Sequence, residues 1–153
     1  MNNVPQLISI AIPAFNEASN IESLERELLA AVESLPFNFE FLVIDNGSGD
    51  QTGPLVKAIC ARDSRWKYIR FSRNFTVEMS ITAGYHYASG AAIVVLYSDL
   101  QDPPHVIPRL IEKWQEGFDV VYGIRRKRER SMGKLNEWLY HNFYVLFNKL
   151  SYV

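Results

Sequence analysis

The run Ala91-Ala92-Ile93-Val94-Val95-Leu96, together with the polar turn after it, constrains this chain more than any other stretch. It is short, uncharged and rich in β-branched residues, the pattern of a strand buried on both faces in the middle of a parallel sheet. Directly after it comes Tyr97-Ser98-Asp99-Leu100-Gln101-Asp102-Pro103-Pro104. In open α/β sheets ligands bind outside the carboxyl ends of the strands, so chemistry is expected at this edge. If the chain stays extended, Asp99 and Gln101 share a face. A carboxylate and an amide oxygen there suit a hard cation, Mg²⁺ or Mn²⁺, held jointly with a ligand's phosphates. Asp102 falls where a helix N-cap belongs, with Pro103 at the first helical position. The plainer alternative is a capped strand-to-helix turn with no further role.

The remaining chain repeats this strand-then-helix pattern. Leu7 to Ile12 reads as a first strand, and Ser19-Asn20-Ile21-Glu22 as a capping box opening a helix with Ile21, Leu24, Leu28, Val32 and Leu35 on one face. Phe39 to Ile44 is a second strand, followed by a helix from Pro54 to about Ala61. Tyr68 to Phe71 is a third strand, followed by a helix from Val77 to Ala88 that Gly90 terminates. After the strand at 91–96, a helix turns Val106, Leu110, Ile111 and Trp114 inward and ends at Gly117. Asp119 to Tyr122 is a fifth strand. Such alternation predicts an α/β fold, a doubly wound, mostly parallel, Rossmann-like sheet with right-handed crossovers.

The length of 153 residues suits one main core, and 48% hydrophobic with 22% charged residues is a globular balance. No secretory signal pattern and no run long enough to span a membrane is visible. Cys60 lies alone within a helical pattern and reads as core in a reducing compartment. His86, His105 and His141 lack zinc-site spacing. The net charge of −1 conceals an asymmetry. Residues 1–124 carry nine basic and fifteen acidic side chains, for −6; residues 125–153 carry seven and two, for +5. The chain therefore divides into an α/β body, 1–124, and a tail of the same domain, 125–153. The tail opens with Arg125-Arg126-Lys127-Arg128-Glu129-Arg130. It continues in a helix from about Met132 to Leu150 with Leu135, Leu139, Phe143, Leu146, Phe147 and Leu150 along one stripe. That stripe is either core or, after such a basic cluster, a face laid on a membrane. No strand closes the sequence after it, so a fragment of a longer polypeptide is expected.

Three strand ends carry carboxylates: Glu17, Asp45 and Asp99. Gly47-Ser48-Gly49-Asp50-Gln51-Thr52-Gly53 does not fit a dinucleotide fingerprint. Its third glycine comes one residue late, and Asp45 and Asp50 flank the place of a pyrophosphate. No P-loop sequence occurs. Carboxylates at strand ends suit ligand donors such as base N–H groups and sugar hydroxyls, with Arg73 supplying charge for phosphate.

Ile12-Pro13-Ala14-Phe15-Asn16-Glu17, Val43-Ile44-Asp45-Asn46-Gly47-Ser48-Gly49-Asp50-Gln51-Thr52 and Ser72-Arg73-Asn74-Phe75 together resemble family 2 glycosyltransferases of the GT-A fold. With Asp99-Leu100-Gln101-Asp102-Pro103-Pro104 and Tyr122-Gly123-Ile124-Arg125 the resemblance narrows to the polyprenyl-phosphate branch, which includes dolichol-phosphate mannosyltransferase and bactoprenol glucosyltransferases. The blocks come in family order across nearly the whole chain. The resemblance implies an inverting transfer of a sugar from a UDP- or GDP-linked donor to a polyprenyl phosphate. It places Pro13, Ala14, Glu17, Asp45 and Arg73 on the nucleotide, and Asp99 and Gln101 on a Mg²⁺ or Mn²⁺ ion. Arg125, with Arg128 and Lys134, meets the acceptor phosphate; Asp99, Gln101 and Arg125 form the catalytic set. An anionic membrane surface at its cytoplasmic face is the expected location and partner. A homo-oligomer stays open, and nucleic acid is not an expected partner. Tyr97 and Asn46 stand where the family usually has Asp, and Thr76 where a glycine is common. Two alternatives remain: a catalytically silent nucleotide-sugar-binding or interaction module, and an unrelated doubly wound dinucleotide protein, which the glycine spacing disfavours.

Overall fold

The computed structural model describes residues 5–124. The chain divides into two compact units, Met1–Val121 and Tyr122–Val153, and the sheet and its helices belong to the first. Arg125, Arg128, Lys134 and the expected helix at 132–150 lie outside the described residues.

Four parallel strands form the sheet: β1 (Leu7–Ala14), β2 (Asn38–Asp45), β3 (Trp66–Arg70) and β4 (Ala92–Val95), in the order β3-β2-β1-β4. Helices α1 (Ile21–Val32), α2 (Thr52–Arg62) and α3 (Val77–Tyr87) make the crossovers; a 3-10 turn (Pro104–Val106) and α4 (Ile107–Gln115) follow β4. The chain thus steps from β1 to β2 to β3 in one direction, then crosses back to lay β4 on the far side of β1. Right-handed crossovers in opposite directions put their helices on opposite faces. Accordingly α1, α2 and α4 cover one face, packing on Ile8, Ile10, Ile12, Phe41 and Val43. Beneath α3, on the other, lie Ala11, Leu42 and Ile44.

The period of two along β1 explains this division. Its isoleucines, at 8, 10 and 12, fill the larger core, while Ser9 and Ala11 put small side chains on the other face, Ala11 beneath α3. A methyl group at Gly84 of α3 would fall 2.7 Å from Ala11 Cβ, so the helix lies almost directly on the strand. Cys60 is partly buried against the larger core, and burial pushes its thiol pKa up.

Several local expectations are corrected. Among the described residues the strand after α3 lies at the edge of the sheet: β4 pairs there with β1 alone, and Ile93 is exposed. Its apolar composition reads like that of an inner strand because β-branched residues suit either place. The capping box does not form. The helix starts after Asn20, whose side-chain amide donates to Glu17 Oε2 (2.6 Å) rather than capping, while Ser19 is exposed. Gly90 does not end α3, which stops at Tyr87 with Ala88 extended. Pro103, not Asp102, holds the N-cap position, with Pro104 first in the 3-10 turn. In α4 the fully buried positions are Ile107 and Ile111, flanked by Leu110 and Trp114, and Gly117 ends the helix at φ 99° with its N–H on Trp114 O. Asp119–Tyr122 forms no strand; Val120 and Tyr122 are largely exposed.

The end of the sheet opposite the strand carboxyl termini is fastened by Glu40. Its buried carboxylate accepts from Ser9 Oγ (2.5 Å), Lys67 Nζ (2.6 Å) and the Ser89 N–H (2.7 Å), and Ser9 Oγ in turn accepts from the Gly90 N–H. The network ties β1, β2, β3 and the segment entering β4. Burial raises the Glu40 pKa, but the bonds from Lys67, Ser9 and Ser89 outweigh it and hold the group below its ordinary 4.5. A carboxyl depressed in the folded state adds stability that is complete above its unfolded pKa and disappears as pH falls through the folded one. Glu40→Gln is therefore expected to cost about 1–3 kcal/mol at neutral pH. In urea titrations its deficit relative to the parent should shrink once the pH drops below about 4.5; a deficit constant with pH would exclude the charged role.

Candidate active site

The reversal of strand order lies between β1 and β4, and there an open cleft of about 160 Å³ sits at the strand carboxyl ends. Such a topological switch point leaves a crevice because the adjoining loops diverge to opposite faces. Pro13, Ala14, Phe15 and Glu17 line it from β1 and its loop, Asn46 from β2, Val77 and Ser80 from α3, and Tyr97, Ser98 and Asp99 from β4. Ser98 fastens the β4 side to β1 by donating from Oγ to Pro13 O (2.9 Å).

The loop after β2 is clamped to the loop after β1. The Asn16 N–H donates to Ser48 Oγ (2.9 Å), the Gly49 N–H to Asn16 Oδ1 (2.9 Å), the Glu17 N–H to Thr52 Oγ1 (2.8 Å) and the Ala18 N–H to Asp50 Oδ2 (3.1 Å). Asp50 Oδ1 also accepts from the Thr52 N–H and hydroxyl, holding the start of α2. Gly47, at φ 78°, occupies a conformation open to glycine, and a Cβ there would collide with the Arg73 backbone at 2.6 Å. The glycine-rich segment is thus a fastening between loops. Asn46 completes it toward α3: its Oδ1 accepts from the Phe75 N–H (2.8 Å) and its Nδ2 donates to Phe75 O (3.2 Å).

Of the residues expected from sequence, Pro13, Ala14, Glu17 and Asp99 meet in this cleft. Asp45 stands just behind it, fully buried. Its carboxylate accepts from the Ser48 N–H (2.7 Å) and the Tyr68 hydroxyl, with Arg70 Nη1 at 3.8 Å. Burial raises its pKa, yet these bonds and the Arg70 charge outweigh it and hold the group below the usual carboxylate range. Arg73 is exposed beyond β3, its guanidinium 4.8 Å from the Phe75 ring, and is not in the cleft wall.

Asp99 and Gln101 do not share a face of an extended strand. The chain turns at once: Leu100 has φ 57°, and the Gln101 N–H donates to Asp99 Oδ1 (3.0 Å). A bulky residue in the left-handed region is costly and persists where its surroundings over-determine it. Here the Leu100 side chain packs against the larger core. Asp99 faces the cleft while Gln101 is exposed outside its lining.

Sequence reasoning did not single out Ser80, Ser98, Phe15 or Val77 as site residues. Phe15 and Ser98 lie in strand-end stretches already singled out, whereas Ser80 and Val77 could be placed only by knowing that α3 points its N-terminus to this edge.

No cluster of three metal-ligating side chains exists among the described residues. Asp99 and Glu17 nonetheless line the same cleft, and Asp99 shows an engaged Oδ1 only. This donor set fits a Mg²⁺- or Mn²⁺-type ion that takes one or two carboxylates and completes its shell from phosphate and water.

The Asp45 cluster generates a test. Tyr68→Phe leaves a buried carboxylate oxygen with Arg70 at 3.8 Å as its remaining partner. The expected loss is about 1–3 kcal/mol in urea denaturation, with faster hydrogen exchange at the Ser48 amide. Full retention of protection at Ser48 would show that Tyr68 does not support this loop.

The sequence model of the family described as glycosyl transferase family 2 matches residues 9–150. An uncharacterized glycosyltransferase of Bacillus subtilis, YkcC, is 43% identical over 121 residues, covering 79% of this chain and 38% of the relative. The undecaprenyl-phosphate 4-deoxy-4-formamido-L-arabinose transferase of Salmonella paratyphi A is 43% identical over 126 residues, covering 82% and 38%. The chain therefore spans well under half the length of these relatives. Among solved structures, the mannosyltransferase PcManGT of Pyrobaculum calidifontis, in complex with GDP-Man and Mn²⁺, superimposes with a TM-score of 0.60 at 18% identity, covering 72% of this chain and 32% of that one. Staphylococcus aureus TarS, residues 1–349, gives 0.52 at 19%, covering 80% and 40%. At those identities the likeness bears on the fold, which is of the GT-A kind. A family match across most of the sequence, joined to a parallel sheet with its cleft at the switch point, makes this chain a member of glycosyl transferase family 2.

Proposed function

We propose that the chain is the donor-binding part of an inverting glycosyltransferase that moves a sugar from a nucleoside diphosphate to a polyprenyl phosphate at a membrane surface. The observation that carries this reading is the cleft at the switch point, where Asp99 and Glu17 stand beside the apolar wall of Pro13, Ala14 and Phe15. The name of the Salmonella relative, an undecaprenyl-phosphate transferase, supports the acceptor class. The GDP-Man and Mn²⁺ bound in PcManGT support the donor class and the ion.

In the proposed reaction an acceptor phosphate oxygen attacks the anomeric carbon as the bond from that carbon to the diphosphate breaks. The electron pair departs with the nucleoside diphosphate, and attack opposite the leaving group inverts the centre. An acceptor phosphate is anionic at neutral pH and needs no general base. The barrier lies in the charge gathering on the diphosphate. A divalent ion, when bound, neutralises that charge. Pro13, Ala14 and Glu17 meet the nucleoside, and Asp45 holds the loop against which it rests. Asp99 is the carboxylate for the ion, with Gln101 of the same turn as a further oxygen. Arg125, Arg128 and Lys134 are assigned to the acceptor phosphate. The basic segment after residue 124 would hold the enzyme to the anionic cytoplasmic face. A second reading, a silent nucleotide-sugar-binding module, draws on Tyr97. This exposed aromatic lines the cleft where the family usually has an acid; turnover to a lipid-linked sugar decides between the two.

Calorimetric titration with UDP, GDP and NAD, with and without Mn²⁺, tests the donor class; binding of NAD alone would overturn it. Asp99→Asn should weaken Mn²⁺-dependent nucleotide binding by roughly ten- to a hundredfold, the worth of one charged contact, and leave folding intact. Asp102→Asn should keep the metal dependence, and Tyr97→Asp should strengthen it. Metal dependence unchanged in Asp99→Asn would leave this stretch a structural turn.

The membrane proposal has its own measurement. Co-sedimentation of the chain with liposomes should rise with anionic lipid and fall with salt, because exposed charges are screened over roughly 8–10 Å near physiological ionic strength. Equal binding to neutral liposomes would reject the electrostatic part.

A further inference from the structure

Ser80 is an anomaly in this fold. It is fully buried, it lines the cleft, and its hydroxyl has no hydrogen-bond partner. A serine inside a helix ordinarily donates to the carbonyl four residues back. Thr82 of the same helix does so, with Oγ1 2.8 Å from Glu78 O. For Ser80 that carbonyl is Thr76 O, and Asn46 Nδ2 approaches it at 3.5 Å. Leaving a buried hydroxyl unpaired is unfavourable, and each such group in a native fold calls for an explanation.

We propose that Ser80 Oγ is a hydrogen-bonding contact for the nucleoside of the donor; the assignment rests on the cleft being the nucleotide site. The placement follows from the sheet. β2 and β4 flank β1, so their carboxyl ends are about 9–10 Å apart. Asp99 stands on the β4 side. Ser80 lies one turn before Gly84, whose neighbours are Ala11 of β1 and Ile44 of β2, so it stands over β1 and β2, away from the β4 side that carries Asp99. A nucleoside diphosphate laid across the cleft with its phosphates at Asp99 puts its nucleoside toward Ser80. The charge pattern agrees: the cleft wall has carboxylates and no cation among the described residues, which disfavours a bare phosphate at the Ser80 end. Asn46 is spent on Phe75 and Thr76, so Ser80 is the polar group of that wall with capacity left for a ligand.

The test is Ser80→Ala in the full 153-residue chain, titrated calorimetrically with UDP, GDP and, separately, inorganic pyrophosphate with Mn²⁺. A lost nucleoside hydrogen bond should weaken binding of the nucleotide that the parent prefers by about tenfold, with or without Mn²⁺. Binding of Mn²⁺-pyrophosphate should be unchanged. Without nucleotide the urea midpoint of the variant should be no lower than the parent's, since the hydroxyl makes no bond within the protein. Unchanged nucleotide affinity in a parent that binds would overturn the Ser80 assignment alone. Equal weakening of pyrophosphate, or a lower midpoint without ligand, would overturn it in favour of a phosphate or a structural role. A parent that binds neither nucleotide would overturn the donor reading and this inference together.

Discussion

The fit of α3 onto β1 is the constraint on which the site depends. β1 alternates large and small side chains, so that one face supplies Ile8, Ile10 and Ile12 to the principal core while the other offers Ser9 and Ala11. A helix can approach that second face closely only if it too is small at the point of contact, and Gly84 meets Ala11 there. The exchange is unusual for a helix interior, where glycine is unfavourable by about 1 kcal/mol relative to alanine. The close seat offsets that, because it fixes the depth of α3 and with it the height of Val77 and Ser80 above the strand ends. Were α3 to ride one side-chain layer higher, the cleft wall would open to solvent.

The loops over the strand ends owe their shape to polar side chains rather than to packing. Asn16, Ser48, Asp50 and Thr52 exchange hydrogen bonds with backbone N–H groups of the facing loop, and Asp45 anchors the whole from beneath. Backbone in the left-handed region occurs at Asn16 on one side of the cleft and Leu100 on the other. Strain of that kind survives where neighbouring contacts over-determine it. A cleft edged by such residues is preorganised, in keeping with the alignment that the proposed in-line attack would need.

Legibility from sequence followed the range of the interactions involved. The strands β1 and β2 were readable because a parallel strand covered on both faces must be apolar throughout. Helix α1 was readable because Ile21, Leu24, Leu28 and Val32 recur at the period of its buried face. The edge position of β4 among the described residues was not readable, since the order of strands is set by crossovers and not by composition. Nor was the loss of the capping box. Asn20 and Glu17 satisfy each other across the turn, and no pattern of residue types tells that pairing from a Ser19 cap. Glu17 and Asp99 stood out in the sequence as carboxylates at strand ends, and both line the cleft. Asp45 looked the same in the sequence, but Ser48, Tyr68 and Arg70 claim its carboxylate through contacts up to 25 residues away in the chain. Ser80 is the reverse case, an ordinary helical serine by sequence that the fold buries without a partner.

The electrostatics of the cleft bear on how a diphosphate could be held there at all. Glu17 and Asp99 give it negative character, and no cation lines it among the described residues: Arg70 lies against Asp45 and donates to Ser48 O, and Arg73 lies against Phe75 outside the wall. A diphosphate brought into that field without compensation meets repulsion at both carboxylates. In the proposed reading Asp99 would hold a divalent ion, which would be the largest local charge in the cleft and would offset that repulsion. The acidic cleft is thus selective in the proposed reading. On that reading the cleft would disfavour the bare anion, with the Ser80 hydroxyl left on the opposite wall for the uncharged part of the donor.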